Sequence, residues 1–81
     1  MEAGVAFGRV LRRLRLRAEL TQEQLGFESD LRRTYISILE LGQQQPSLVT
    51  ILKLASALKC SGQKLIGDVE SEIRLSGSNH Q

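Results

Sequence analysis

The chain contains one cysteine, one histidine and one proline, and it has no tryptophan. A single cysteine cannot form an internal disulfide. Cys60 also lacks a metal-ligand partner at useful spacing, because the only histidine, His80, stands in the tail. A disulfide framework and a metal site are therefore not expected, and the setting expected is a reducing cytoplasm. Phe7, Phe27 and Tyr35 are the only aromatics, too scattered to stack successive bases of a single strand. No apolar run approaches the ~18–20 residues of a membrane span. The opening residues, Met1-Glu2-Ala3-Gly4, lack a signal-peptide pattern. No histidine, cysteine or serine falls in a catalytic constellation, and no carboxylate pair stands inside an apolar region. The expectation is a non-enzyme that needs no cofactor.

What remains is an ordinary globular composition, with 41% apolar and 25% charged residues among 81. That length holds one small domain with one core, and the core must be mostly aliphatic. The net charge of +2 says little about partners. Its distribution says more. Arg9, Arg12, Arg13, Arg15 and Arg17 crowd one segment, Arg32 and Arg33 follow, and the acids Asp68, Glu70 and Glu72 lie near the C-terminus. A basic face for an anion, with an acidic end held away from it, is one reading. A solvated arginine face is the other.

Periodicity points to an all-α fold. Phe7, Leu11, Leu14 and Ala18 recur at helical spacing, predicting a first helix over roughly 3–18. Thr21 and Gln24 form a capping-box pattern that opens a second helix over 22–28. Ser29-Asp30-Leu31 reads as a turn. A third helix spans 33–41, with Ile36 and Leu39 inward and Gly42 as its stop. Ser47 caps a fourth over 48–58, where Leu48, Ile51, Leu54, Ala55 and Leu58 have core spacing. Ser61 caps a short fifth helix over 62–66, with Leu65 inward. Residues 1–67 thus read as the domain and 68–81 as a C-terminal extension. In that extension 68–75 fits either a helix or an alternating strand, and Ser76–Gln81 reads as a frayed tail.

The stretch 20–42 therefore carries two short helices joined by a tight turn, the second opening on arginines. A short helix held at a fixed angle, with polar and cationic residues outward, fits the DNA major groove. The ordered set Leu11-Arg12-Arg13-Leu14-Arg15, Leu20-Thr21-Gln22-Glu23-Gln24-Leu25, Arg33-Thr34-Tyr35-Ile36-Ser37, Leu39-Glu40, Gly42, Pro46-Ser47-Leu48 and Leu52-Lys53-Leu54-Ala55-Ser56-Ala57-Leu58 resembles the lambda-repressor-like (Cro-type, xenobiotic-response-element) helix-turn-helix family. The small controller proteins of restriction–modification systems resemble it most. The resemblance covers roughly residues 7–66. It implies a five-helix domain that binds operator DNA as a dimer and regulates transcription as a repressor or activator.

It also implies roles. Base contacts fall on Arg33, Thr34 and Ile38, with Ser37 beside them. Arginine can bond bidentately to guanine O6 and N7, while Thr and Ile methyls can touch the thymine methyl. Ile38 departs from the polar residues common in the family, so it either reads apolar groups or is partly buried. Phosphate contacts fall on Gln22, Arg32 and Tyr35, with Gln43, Gln44 and Gln45 along the following loop. Arg32 occupies an N-cap position where the family prefers a small polar or acidic residue, and a nearby phosphate would relieve that conflict. Tyr35 is either a phosphate donor or a support packed on the turn. Arg15 and Glu40 match an ion pair joining the first helix to the third.

The family includes antitoxins, so a homodimer on double-stranded DNA has an alternative partner, a protein toxin. A membrane-surface helix is disfavoured, since the first helix needs its apolar face for the core. A dimer contact is expected from Ile66, Val69, Ile73 and Leu75, apolar residues without an obvious partner in one subunit. Glu70 and Glu72 are expected to stay solvated.

Overall fold

The computed structural model describes residues 1–77. Its elements are α1 (Ala3–Arg17), α2 (Gln22–Ser29), α3 (Arg33–Glu40), α4 (Leu48–Ala57) and α5 (Gly62–Leu75), with no strand among the described residues. The expected tail, Ser76–Gln81, lies outside those residues from Ser78 onward.

Three of the five helices open on a hydroxyl that satisfies an otherwise orphaned amide. Thr21 Oγ1 accepts from Gln24 N at 3.0 Å while Gln24 Oε1 accepts from Thr21 N at 2.8 Å, a complete capping box. Ser47 accepts from Thr50 N and Ser61 from Lys64 N in the same way. Each such cap contributes about 1 kcal/mol. Gly42 ends α3 with φ at +73°.

The core is built by all five helices. Ala6, Phe7, Val10 and Leu11 of α1 meet Leu25, Ile36, Leu39, Leu54, Ala55, Leu65 and Val69. Nearly all of it is aliphatic, and each buried Leu or Ile contributes about 1.5–3 kcal/mol by leaving water. α1 reaches α3 closely because Gly8 lies at their crossing. A Cβ there would fall 2.7 Å from the Glu40 carbonyl oxygen and against that of Leu39.

Several expectations change. Leu48 is 72% exposed, so α4 uses Thr50, Leu54 and Ala55 as its buried face, with Ile51 and Leu58 half-buried beside them. Leu48 is the first residue of α4, directly after the Ser47 cap.

The larger change is at the C-terminus. α5 does not stop at Ile66 but continues without a break through Gly67 to Leu75. The reason is a row at i, i+4 and i+8: Leu65 is fully buried, Val69 is buried and Ile73 packs against the core. Gly67 and Asp68, where the domain and its extension were expected to meet, both lie inside α5. Glu72, expected to be solvated, lies against α1 instead: Arg13 Nη1 donates to its Oε1 at 3.1 Å, and Arg9 approaches its Oε2 at 3.9 Å.

Candidate nucleic-acid interface

α2 and α3 make the helix-turn-helix unit. α2 ends at Asp30, whose φ of 59° reverses the chain, and Leu31 N then donates back to Gly26 O at 2.8 Å. Gly26 permits that return, since a Cβ on it would stand 2.7 Å from the Leu31 carbonyl oxygen. Buried Ser29 donates to Leu25 O at 2.7 Å, so its hydroxyl costs little inside the turn. α3 then starts from Arg32 without a side-chain cap.

Ile36 and Leu39 fix α3 to the core, and its other face is left outward. Arg33 and Thr34 are exposed; Ser37 and Ile38 are half-buried along the same side. Arg32 is exposed beside them. No acid pairs with Arg32 or Arg33 among the described residues, so two guanidinium groups stand at the positive end of a helix dipole. That arrangement attracts an anion. Tyr35 is half-buried against the core, and Gln43, Gln44 and Gln45 are exposed in the loop that follows.

A bidentate ion pair joins α1 to α3. Arg15 Nε donates to Glu40 Oε2 at 2.6 Å and Nη2 to Oε1 at 3.0 Å, while Nη1 donates to the Leu20 carbonyl at 2.9 Å. Hydrogen bonding to Glu40 raises the Arg15 pKa above its ordinary value; desolvation opposes this and Coulomb attraction adds to it. Gln22 joins the same network, donating from Nε2 to Glu40 Oε1 at 3.0 Å. The sequence offered no sign of that third contact, which ties the start of α2 to the end of α3.

The four C-terminal residues expected to meet a second subunit divide. Val69 is 8% exposed and Ile73 half-buried, so both serve their own core. Ile66 and Leu75 remain exposed. Leu48, Val49 and Leu52 on α4 are also exposed. Leu52 lies beside the start of α5, its Cδ2 being 3.0 Å from where a Cβ on Gly62 would sit.

A helix-turn-helix family model matches residues 11–65, which include every element of this unit. The chain belongs to this helix-turn-helix family. It is a DNA-binding regulator of the lambda-repressor-like type. The control protein C.BamHI of Bacillus amyloliquefaciens is 43% identical over 61 residues, covering 74% of this chain and 75% of its own. The control protein C.MunI of a Mycoplasma species is 36% identical over 69 residues, covering 84% and 93%. The restriction-modification controller protein C.AhdI from Aeromonas hydrophila superposes with a TM-score of 0.74 at 48% identity, covering 76% of this chain and 94% of that one.

Among the described residues, no group of three or more His, Cys, Asp or Glu could hold a metal, and no helix is long and apolar enough to cross a membrane. Burial pushes the Cys60 thiol pKa up, with Lys64 opposing and Asp68 adding, which disfavours the reactive thiolate.

Proposed function

We propose that this regulator binds a palindromic operator as a homodimer, with α3 in the major groove of each half-site. The observation that carries the reading is the outer face of α3. Arg33, Thr34, Ser37 and Ile38 share it, while the opposite face is fixed by Ile36, Leu39 and the Arg15–Glu40 pair. Arg33 is the residue with the fork geometry for guanine, Thr34 and Ile38 supply methyls, and Ser37 supplies a hydroxyl. Arg32, Gln22, Tyr35, Gln43, Gln44 and Gln45 would hold phosphates on either side and set the register. Gln22 can do so with its remaining amide hydrogen, since the other is committed to Glu40.

The second copy is proposed to dock on the exposed apolar surface where α4 meets α5, through Ile66, Leu52, Val49 and Leu48. Of the C-terminal residues expected there, this keeps Ile66 and shifts the contact onto α4, because Val69 and Ile73 are used inside the subunit. Contiguous apolar surface on a small monomer marks such a contact. A two-fold dimer presents its recognition helices to half-sites about 34 Å apart.

The relatives named as control proteins favour a controller of a restriction–modification system over an antitoxin, and such a protein acts in the cytoplasm, where the DNA is. The experiment is selection of bound sequences from random duplex DNA. The expected result is a palindrome with half-sites one helical turn apart. Equal recovery of all duplexes would overturn the operator reading, and a single non-repeated half-site would overturn the dimer.

A further inference from the structure

Seen along its axis, α3 has two rows on its outer side. One is polar: Arg33 and Ser37, at i and i+4. The other is Thr34 and Ile38, also at i and i+4, and Leu41 follows where the two rows converge, seven residues after Thr34 and four after Ser37, away from the buried Ile36 and Leu39. Leu41 is 66% exposed and takes no part in the core cluster or in the half-buried residues around it. It stands at the C-cap of α3, directly before Gly42 turns the chain away. From Thr34 to Leu41 the helix rises about 10 Å, roughly the height of three stacked base pairs.

We propose that Leu41 is a specificity-determining residue, completing with Thr34 and Ile38 an apolar row that reads the C5-methyl groups of pyrimidines in the major groove. The inference rests on the operator-binding reading above and extends it. Among unmodified bases only thymine carries a C5-methyl, and it is the one apolar feature the major groove displays. The methyls of Thr34, Ile38 and Leu41 match that feature, and the Thr34 hydroxyl is the one group among them that can also hydrogen-bond a base edge. 5-Methylcytosine presents the same methyl at the same ring position, so the row accepts it where it accepts thymine. Modification of cytosine at a facing position therefore strengthens binding relative to unmodified cytosine.

The test uses the operator recovered by selection, with each thymine replaced singly by deoxyuridine, which removes only the methyl. The full chain and its Leu41→Ser variant are compared, with helical content and sedimenting mass measured for both. One to three adjacent replacements should weaken the wild type about fourfold each, the effect of one buried methyl. At the outermost of them Leu41→Ser should bind thymine and deoxyuridine equally. Placing 5-methylcytosine against cytosine there should favour the methylated duplex in the wild type alone.

If no replacement weakens the wild type, or the operator has no thymine facing α3, the methyl row is wrong while sequence-specific binding still upholds the operator reading. An unchanged deoxyuridine effect in Leu41→Ser removes Leu41 from the row. A lower sedimenting mass for that variant makes Leu41 a subunit contact instead. Absence of any sequence preference overturns both readings together.

Discussion

Arg15 of α1 and Glu40 of α3, 25 positions apart in the chain, meet at 2.6 Å with side chains only 9% and 3% exposed. Neither touches the outer face of α3; the pair joins α1 to the end of that helix. Glu40 also receives Gln22, so one carboxylate gathers three helices.

Removing Glu40 leaves a buried guanidinium with only the Leu20 carbonyl. Glu40→Ala should cost about 3–5 kcal/mol in urea denaturation. Arg15→Met combined with Glu40→Leu should restore most of that stability but not the operator affinity, because packing replaces the charge without fixing the angle. The raised Arg15 pKa means its stabilisation is present at every pH below the ordinary arginine range and is lost only above it. The arginine side of the pair therefore adds no pH dependence between about pH 6 and 9. A double variant with wild-type affinity would show that the pair does not orient α3.

Gly8→Ala should destabilise the fold by about 1–3 kcal/mol, since its Cβ meets two backbone carbonyls that cannot rotate away. In a domain of this size each kcal/mol lowers Tm by about 4–8 °C. A thermal melt indistinguishable from wild type would mean that α1 and α3 can separate freely.

Val69 and Ile66 separate the subunit core from the proposed interface. Val69→Asp buries an unpaired charge and should unfold the subunit, costing more than about 3 kcal/mol. Ile66→Asp with Leu52→Asp should keep the helical signal and halve the sedimenting mass. If the second variant retains wild-type mass, the dimer uses another surface.

Much of this architecture is legible in the residues. Thr21 and Gln24 announce α2, Gly42 marks the end of α3, and Phe7, Leu11, Ile36, Leu39 and Leu54 have the spacing of a core that the structure contains. The pairing of Arg15 with Glu40 comes from family resemblance rather than from local pattern, and the structure brings those groups together. The full length of α5 is hidden because Val69–Leu75 alternates as well as it spirals. What decides between the two is Leu65, Val69 and Ile73 facing one core, and that surface exists only after the other helices have docked. The position of Glu72 is hidden for the same reason, since Arg13 reaches it across 59 positions. Leu48 shows the converse: helical spacing indicates a side of a helix but not whether anything covers it.

The central claim is that α3 reads bases, and the most direct measurement compares Arg33→Ala with Arg32→Ala on a panel of single-base operator variants across salt concentrations. Arg33→Ala should relax preference at one position per half-site, at about 1–3 kcal/mol. Arg32→Ala should weaken every duplex alike and reduce the salt slope by about 0.9 for each phosphate that is no longer neutralised. An unchanged preference profile for Arg33→Ala would contradict the account.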